Sequence, residues 1–354
     1  MRLFVTSALA STGALITLAG SPQAIAAASI ALESPALTAT LINLPSLRRG
    51  PSEALAVDEA GTTIVGSSWE QGLLYGVRWK RQNGAWAISK LPIPANATSA
   101  IARAVNNATD TAGNDFPATV SHPVLWSATG GLSVLGCNEP GAATVYALSG
   151  NDLILAGRQA GRAALWRPGT CRTALPGLSA GAPTIASAIN ADGTIVGGGA
   201  APAATGSFVP VRWRSVGGAW QIEQLDTRPG GAAGANATGD LAGQVSIACG
   251  AGGSCSRAFV WPVDGGSAQL GTLGGAESWA KDINASGEVV GGSSRASGDN
   301  TGFFWSPSVG MVALPFKGSW AAANALSDVR PDGTRLVVGM NSQGVAVAWI
   351  VTAP

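Results

Sequence analysis

The sequence contains little charge. Only 12% of its residues are Asp, Glu, Lys or Arg, and the formal net charge is +1. A surface that holds nucleic acid or anionic lipid needs a concentrated basic field, and so few charges do not supply one. We therefore expect no nucleic-acid partner. Glycine is abundant instead, with 49 residues, which favours many short strands joined by tight turns.

Histidine is nearly absent, since His122 is the single one. Any Ser-His-Asp or Cys-His catalytic set would have to use it, and one imidazole does not make a histidine-based metal site. The sequence also contains no Asp-x-Asp-x-Asp-Gly calcium loop. It accordingly predicts no cofactor, no metal ion and no catalytic residue.

An uncharged apolar run opens the chain. Arg2 is followed by apolar and small residues from 3 to 20, and then by Ala24-Ile25-Ala26, which is typical of a secretory signal peptide. A transmembrane helix is a weaker interpretation, because Ser, Thr and Gly dilute the run. We place the cleavage after Ala26 and expect a secreted or periplasmic protein with no membrane span in its mature form.

Four cysteines remain in an oxidising compartment, and an even number favours pairing. Cys249 and Cys255 enclose a short glycine-rich loop, which predicts a local disulfide, with two free thiols as the alternative. Cys137 and Cys171 are a second candidate pair. The sequence leaves this second pair open, because it does not show that their Cα atoms come within bridging distance.

Tryptophan reveals an internal repeat. Seven of the twelve tryptophans each end a short apolar or small run, and successive members are 40 to 48 residues apart. That period is typical of a four-stranded propeller blade. The seven residues are Trp79, Trp126, Trp166, Trp213, Trp261, Trp305 and Trp349.

Each repeat reads as four strands. In the sixth, a strand of small residues is followed by the turn Asn284-Ala-Ser-Gly287, a returning strand, the strand that ends in Trp305, and an outer strand that carries Leu314. Asn or Asp at the first turn position and Gly at the last indicate a type I turn. Small residues suit the innermost strand, because the blades converge at the axis. Such runs occur at Ala54-Leu-Ala-Val57, Ala102-Arg-Ala-Val105, Ala186-Ser-Ala-Ile189 and Ala322-Ala-Asn-Ala325.

A Leu-Pro phrase in the outer strands predicts how the ring closes. It occurs at Leu91-Pro92, Leu175-Pro176 and Leu314-Pro315, but only five residues follow Trp349. A further copy, Leu44-Pro45, has no blade in front of it. Donation of this N-terminal strand to the last blade removes the open sheet edges. The sequence thus predicts an all-β, seven-bladed propeller over residues 37–354, after a signal peptide at 1–26 and an extension at 27–36, and it favours this ring over an open solenoid.

The repeats resemble a known family. The phrases Gln269-Leu-Gly-Thr-Leu-Gly-Gly275, Ala280-Lys-Asp-Ile-Asn-Ala-Ser-Gly-Glu-Val-Val-Gly291 and Phe303-Phe-Trp305 are similar to the HAF-type extracellular repeats, named for a His-Ala-Phe element. The resemblance extends over roughly residues 40 to 350. It implies a bacterial exported repeat protein and adds almost nothing about chemistry.

Candidate catalytic groups are few. His122 lies four residues before Trp126, at the position of the family element, and we interpret it as a structural residue on a strand packed between blades. The carboxylates Glu53, Glu70, Asp282 and Asp299 are candidates for acid–base work, but nothing in their spacing singles out a pair.

Five tryptophans stand outside the repeat position. Trp86 and Trp220 begin outer strands and are interpreted as peripheral packing. Trp69 lies between second and third strands, whereas Trp279 and Trp320 lie at or before the start of innermost strands, and these segments meet on one face of a propeller. The three indoles are the predicted ligand-binding residues, because a half-exposed indole can cover a sugar. The alternative is that each covers its own blade edge.

Three functions follow from these patterns. The first is an exported, monomeric, non-enzymatic binding propeller that recognises carbohydrate or a cell-surface polymer on the face with the longer loops, at residues 67–74, 198–208, 244–256 and 292–301. The second is a polysaccharide lyase or hydrolase with carboxylates at the propeller mouth. The third is a structural or adhesion protein of the cell envelope.

Overall fold

The chain folds into seven four-stranded antiparallel sheets, as predicted. The computed structural model describes residues 37–137, 139–150, 152–203, 206–250 and 253–354. The predicted signal peptide and the extension at 27–36 lie outside the described residues and stay predictions. The sheets are called blades I to VII in chain order.

In blades I to IV, consecutive strands run from the inside of the ring to its outside. These strands are β2 (Ser52–Val57), β3 (Thr63–Glu70), β4 (Leu73–Gln82) and β5 (Ala85–Lys90) in blade I; β6 (Ala97–Val105), β7 (Thr111–Pro117), β8 (Pro123–Trp126) and β9 (Leu132–Val134) in blade II; β10 (Ala143–Leu148), β11 (Leu155–Gln159), β12 (Arg162–Trp166) and β13 (Thr173–Ala174) in blade III; and β14 (Thr184–Ile189), β15 (Ile195–Ala200), β16 (Val209–Val216) and β17 (Ala219–Gln224) in blade IV.

Blades V and VI follow the same order, whereas blade VII takes its outer strand from the N-terminal segment. The strands are β18 (Gly230–Ala235), β19 (Leu241–Cys249), β20 (Gly253–Trp261) and β21 (Ala268–Gln269) in blade V; β22 (Gly274–Ile283), β23 (Val289–Arg295), β24 (Asn300–Ser306) and β25 (Gly310–Ala313) in blade VI; and β26 (Ala321–Leu326), β27 (Thr334–Asn341), β28 (Ala346–Thr352) and β1 (Thr38–Asn43) in blade VII. One short 3-10 helix, Leu47–Arg49, follows β1.

The ring closes through β1. This strand pairs antiparallel with β28 in a register that places Leu41 opposite Trp349. The predicted exchange of the N-terminal strand is confirmed, because β1 supplies the fourth strand of blade VII. Backbone hydrogen bonding continues past the strand, since the Leu44 amide donates to the carbonyl oxygen of Ala346 at 2.9 Å.

The repeated tryptophans form the core between the blades. Six of the seven are 0 to 1% exposed, and the outer-strand leucines Leu91, Leu175 and Leu314 are buried beside them. Trp305 differs from the prediction, because it keeps partial exposure beside Met311. Trp86 and Trp220 are half-buried. They pack against the buried residues around Trp79 and Trp213, respectively, which confirms peripheral packing.

The Leu-Pro phrase has a specific role in this packing. The carbonyl oxygen of each of its four prolines accepts a hydrogen bond from the indole nitrogen of the next blade's tryptophan, at 2.6 to 2.8 Å. Each bond satisfies a buried indole donor and ties the outer strand of one blade to the core of the next. The four pairs are Trp79 with Pro45, Trp126 with Pro92, Trp213 with Pro176 and Trp349 with Pro315.

The predicted Asx turns link the blades a second time. The backbone carbonyl oxygen of Asn284 accepts the hydrogen bond of the turn from the Gly287 amide, and Gly287 has a φ of +72°. The Asn284 amide nitrogen donates onward to the carbonyl oxygen of Ser327 in blade VII at 3.1 Å. Asn236 in blade V donates in the same way to the carbonyl oxygen of Asn284. The turns therefore form a chain of contacts around the inner strands.

Both cysteine pairs form disulfides. Cys249 and Cys255 staple the β19–β20 hairpin, and their Cα atoms are 5.8 Å apart. Cys137 and Cys171 join the outer regions of blades II and III, with Cα atoms 5.1 Å apart, which resolves the pair that the sequence left open. Disulfides persist in oxidising compartments and are compatible with a secreted or periplasmic location. Within the described ranges, no helix has the length and apolar content that crossing a membrane requires.

Candidate functional site

The three predicted ligand-binding tryptophans lie on one end of three consecutive blades. Trp69 stands near the end of β3 in blade I and is 44% exposed. Trp279 lies in β22 of blade VI, and Trp320 directly precedes β26 of blade VII. This end carries the connections between second and third strands and between successive blades, and we call it the loop-bearing face.

The environments of the three indoles differ. Trp279 is half-buried because its ring lies over Gly292 in its own blade, where any Cβ would meet the indole at 2.3 Å. Trp320 is also half-buried, and its backbone oxygen accepts a hydrogen bond from the Ser342 amide. Of the three, Trp69 alone is exposed. A shared platform of the three indoles stays a prediction.

A cavity of about 660 Å³ opens on the same face, between blades II and III. The ends of β7 and β11 form its walls, together with the loop before β8 and the connection from blade II to blade III. We call it the inter-blade cavity. Its lining includes Asp115, His122, Glu139, Gln159 and Trp166. The sequence did not predict it.

Gly136 lies in the lining of the cavity, where the outer strand of blade II ends. In blade II, Leu135 is followed by glycine where four other outer strands continue with proline. Gly136 has a φ of +101°, a conformation that the proline ring forbids. The indole nitrogen of Trp166 has no hydrogen-bond partner among the described residues, although four equivalent indoles are bonded to proline carbonyls. The indole–proline bond is therefore missing at Trp166, as it is at Trp261, and after Gly136 the chain turns toward the Cys137–Cys171 disulfide.

Three buried polar atoms of the lining have no partner within the described part of the chain. They are the indole nitrogen of Trp166, the side-chain oxygen Oε1 of Gln159 and the carboxylate oxygen Oε2 of Glu139. Gln159 is 6% exposed and Trp166 is 1% exposed. Buried polar groups are almost always hydrogen-bonded, and these three belong to residues that line one cavity, which makes it a candidate place for a polar ligand.

The Gln159 side chain is held in place by its amide nitrogen. This nitrogen donates to the carbonyl oxygens of Glu139 and Gly141, at 3.1 and 3.2 Å, and the Oε1 atom is left without a partner. The Glu139 carboxylate uses its other oxygen, Oε1, to accept from the Arg172 amide at 3.2 Å. Both acceptors are therefore fixed by the loop that the disulfide anchors.

His122 differs from the sequence-based expectation in its position, since it is not part of a strand, while its structural role stays a prediction. It lies just before β8, and 45% of its side chain is exposed. Its Nδ1 atom is 3.2 Å from both carboxylate oxygens of Asp115, and its amide donates to Asp115 at 2.7 Å. Proline at position 123 starts the strand and leaves the preceding residue on the cavity wall. The Asp115 carboxylate orients the ring.

A second cavity, of about 190 Å³, lies on the axis at the opposite end of the inner strands. Each of the seven inner strands contains a β-bulge, and the extra residue lines this axial cavity. Bulges re-aim a side chain without ending the strand. The seven bulged residues are Leu55, Arg103, Tyr146, Ser187, Ala233, Lys281 and Asn324.

Three acidic residues from neighbouring blades, Glu59, Asp282 and Asp328, line one side of the axial cavity, whose lining also contains Arg103 and Lys281; we call this opening the axial mouth. Asp282 accepts from the amides of Ile283 and Leu326, and burial raises the pKa of its carboxyl group to about 7, with the negative charges of Asp328 and Glu59 adding to the shift. Burial also raises the pKa of Glu59. The described residues contain no group of His, Cys, Asp and Glu side chains arranged to hold a metal ion.

The other carboxylates named from the sequence have separate roles. Glu53 accepts a hydrogen bond from Asn324 at 3.1 Å near the axis. Glu70 pairs with Arg48 and Lys90 on the loop-bearing face, and hydrogen bonding with Lys90 lowers the pKa of its carboxyl group. Asp299 accepts from the hydroxyl of Ser297 in an exposed turn. Only Asp282 joins the acidic group at the axial mouth.

Solved structures of similar architecture match the chain at low sequence identity. Virginiamycin B lyase from Staphylococcus aureus is 10% identical, with a TM-score of 0.53 over 90% of this chain and 100% of that chain. The β-propeller domain of Cps50 (Swd1) from Myceliophteria thermophila is 12% identical, with a TM-score of 0.52 over 88% and 100% of the two chains. The propeller domain of the Trilobed protease from Pyrococcus furiosus is 9% identical, with a TM-score of 0.54 over 84% and 93%.

Likeness at such low identity shows the fold alone, and the three proteins differ in function. No protein-family model matches the chain, and no curated protein matches it in sequence. The resemblance to HAF-type repeats stays a prediction. What the comparisons show is that the chain has the fold of a β-propeller.

Proposed function

We propose that the protein is an exported, non-enzymatic binding propeller that recognises carbohydrate on its loop-bearing face. The observation that carries this proposal is the inter-blade cavity, with its unpaired and buried polar atoms. Two of these atoms accept hydrogen bonds and one donates, as described for Gln159, Glu139 and Trp166. A ligand must offer both kinds of group to satisfy all three.

Sugar hydroxyls meet that requirement. A hydroxyl donates one hydrogen bond and accepts others, so neighbouring hydroxyls of one ring can pair with acceptors and with an indole donor at once. The cavity volume of about 660 Å³ falls within the range of small-molecule sites. Exposed apolar side chains at Val120 and Val134 offer contact for the apolar parts of a sugar ring.

The exposed indole of Trp69 supports a longer ligand on the same face. Aromatic rings with one wet side favour amphipathic partners. In this proposal, Trp69, Trp279 and Trp320 supply a second contact region for a polymer, and the inter-blade cavity supplies the polar specificity.

Titration with a glycan panel tests the proposal. Native protein, Gln159→Met and Gln221→Met are compared by calorimetry, because Gln159→Met removes the buried acceptor and Gln221 is an exposed glutamine on β17. We expect the Gln159 variant to bind at least about tenfold more weakly, and the Gln221 variant to bind like the native protein. Absence of binding to every glycan, or native affinity in the Gln159 variant, contradicts the proposal.

A polysaccharide-acting enzyme is a second candidate, favoured by the acids at the axial mouth. A carboxyl group with a pKa of about 7, such as that of Asp282, can act as a general acid near neutral pH. Its two backbone hydrogen bonds also give it a structural role. The enzyme is favoured if native protein releases reducing ends from a polysaccharide and Asp328→Asn does not. If native protein releases none from any substrate, this candidate is wrong.

A further inference from the structure

The charges around the inter-blade cavity limit the class of sugar that it can bind. Asp115 and Glu139 both line it, whereas its lining, as far as the described residues form it, contains neither lysine nor arginine. Two carboxylates without a lining cation disfavour any anionic ligand and favour a positive one.

The two carboxylates are not equivalent. Asp115 is 3% exposed and is occupied by His122, through the backbone amide and the ring nitrogen Nδ1. Glu139 forms no ion pair with any described residue, and its Oε2 atom has no hydrogen-bond partner among them. A buried carboxylate oxygen in this state is best satisfied by a charged donor.

We propose that the ligand of the inter-blade cavity is a sugar with a free amino group, whose ammonium pairs with Glu139. The neighbouring Gln159 Oε1 accepts a second hydrogen bond from the ligand, and a ring or hydroxyl oxygen accepts from the indole nitrogen of Trp166. This inference rests on the proposed carbohydrate function and specifies its ligand. Uronic acids and sulfated sugars are excluded by repulsion, and acetylation of the amine removes the charge that Glu139 recognises.

Calorimetric titration with glucosamine, glucose, N-acetylglucosamine and glucuronate separates the possibilities. We expect glucosamine to bind about tenfold more tightly than glucose or N-acetylglucosamine, because a hydrogen bond between charged groups contributes more than a neutral one. Glucuronate is expected to bind most weakly. The same series is measured with Glu139→Gln and with Glu277→Gln, which removes an exposed carboxylate in blade VI.

Glu139→Gln keeps an oxygen that can accept from the Arg172 amide, so the loop should be retained, and an unchanged thermal melt verifies this. We expect the variant to bind glucose and glucosamine equally and Glu277→Gln to keep the native preference. Equal binding of the two sugars by native protein overturns the amino-sugar inference and leaves the carbohydrate function standing. If Gln159→Met changes the affinity for neither glucose nor glucosamine, the sugars bind elsewhere and the assignment of the cavity is wrong. If no glycan binds, both proposals are wrong.

Discussion

The indole nitrogen of Trp79 lies 2.7 Å from the carbonyl oxygen of Pro45, so the first blade is hydrogen-bonded to the strand that completes the last one. The same bond joins three other pairs of neighbouring blades. It explains why the Leu-Pro phrase and the tryptophan recur together, since one supplies the acceptor and the other the donor.

The contribution of this bond to stability can be isolated with two tryptophans. Trp213 donates to Pro176, whereas Trp261 is equally buried and its indole nitrogen has no partner among the described residues. Trp213→Phe and Trp261→Phe remove similar volumes, but only the first removes the hydrogen bond to the carbonyl oxygen of the half-buried Pro176. We expect Trp213→Phe to lower the free energy of unfolding by about 1 to 2 kcal/mol more than Trp261→Phe. Urea denaturation measures the difference, and equal losses would show that the bond contributes nothing.

Removal of β1 should open the ring. A chain that starts at residue 37 keeps the outer strand of blade VII, and one that starts at residue 44 lacks it. The loss exposes Trp349 and its neighbours and leaves β28 as an open edge, which favours aggregation. We expect the shorter chain to be destabilised by roughly 2 to 3 kcal/mol from the half-buried apolar area of Leu41 and Ile42 alone. Matching melting temperatures of the two chains would contradict strand closure.

The two disulfides should differ in their effect on stability. Cys137–Cys171 closes a separation of 34 residues and Cys249–Cys255 a separation of 6. In the chain-entropy model, these loops correspond to roughly 4 and 2 kcal/mol of stabilisation. Replacement of each pair by serine, followed by thermal unfolding, should therefore affect the first pair more. We also expect the first replacement to weaken sugar binding, because that disulfide anchors the loop that holds Glu139.

Asp282 should make stability depend on pH. Its pKa in the folded protein is about 7, above the ordinary value of 3.8, so folding favours the protonated carboxyl group. The contribution of Asp282 is fully present below about pH 4 and is lost as the pH rises to about 7. Its size is on the order of a few kcal/mol. Asp282→Asn should flatten this part of the stability curve relative to native protein, while Asp299→Asn, which changes an exposed carboxylate, should not. Parallel curves for Asp282→Asn and native protein would contradict the shifted pKa.

Much of the fold could be predicted because most blades repeat the same signals. Each third strand contains a tryptophan, an Asx-Gly turn joins the first two strands of blades I, IV, V and VI, and Leu44-Pro45 identifies the missing outer strand. The bulges of the inner strands were not predicted. Their extra residue interrupts the alternation of inward and outward side chains, but in runs of alanine and other small residues that alternation is hardly visible in the sequence.

In the sequence, the inter-blade cavity is accompanied only by a deviation from the repeat pattern. Leu135-Gly136 replaces the Leu-Pro phrase, a cysteine follows, and the spacing from Trp126 to Trp166 is the shortest in the series. Leu270-Gly271 in blade V lacks the proline in the same way, so the glycine alone does not identify the site in the sequence. His122 was expected on the strand that ends in Trp126, but that strand begins one residue later, at Pro123.

The pairing of Thr38 with Thr352 brings the two ends of the folded domain side by side. A short linker between them would make the chain continuous around the axis, and new termini could then be opened at an exposed connection between other blades. The propeller is thus well suited to circular permutation. We expect the same ring to form when the chain starts at a different blade.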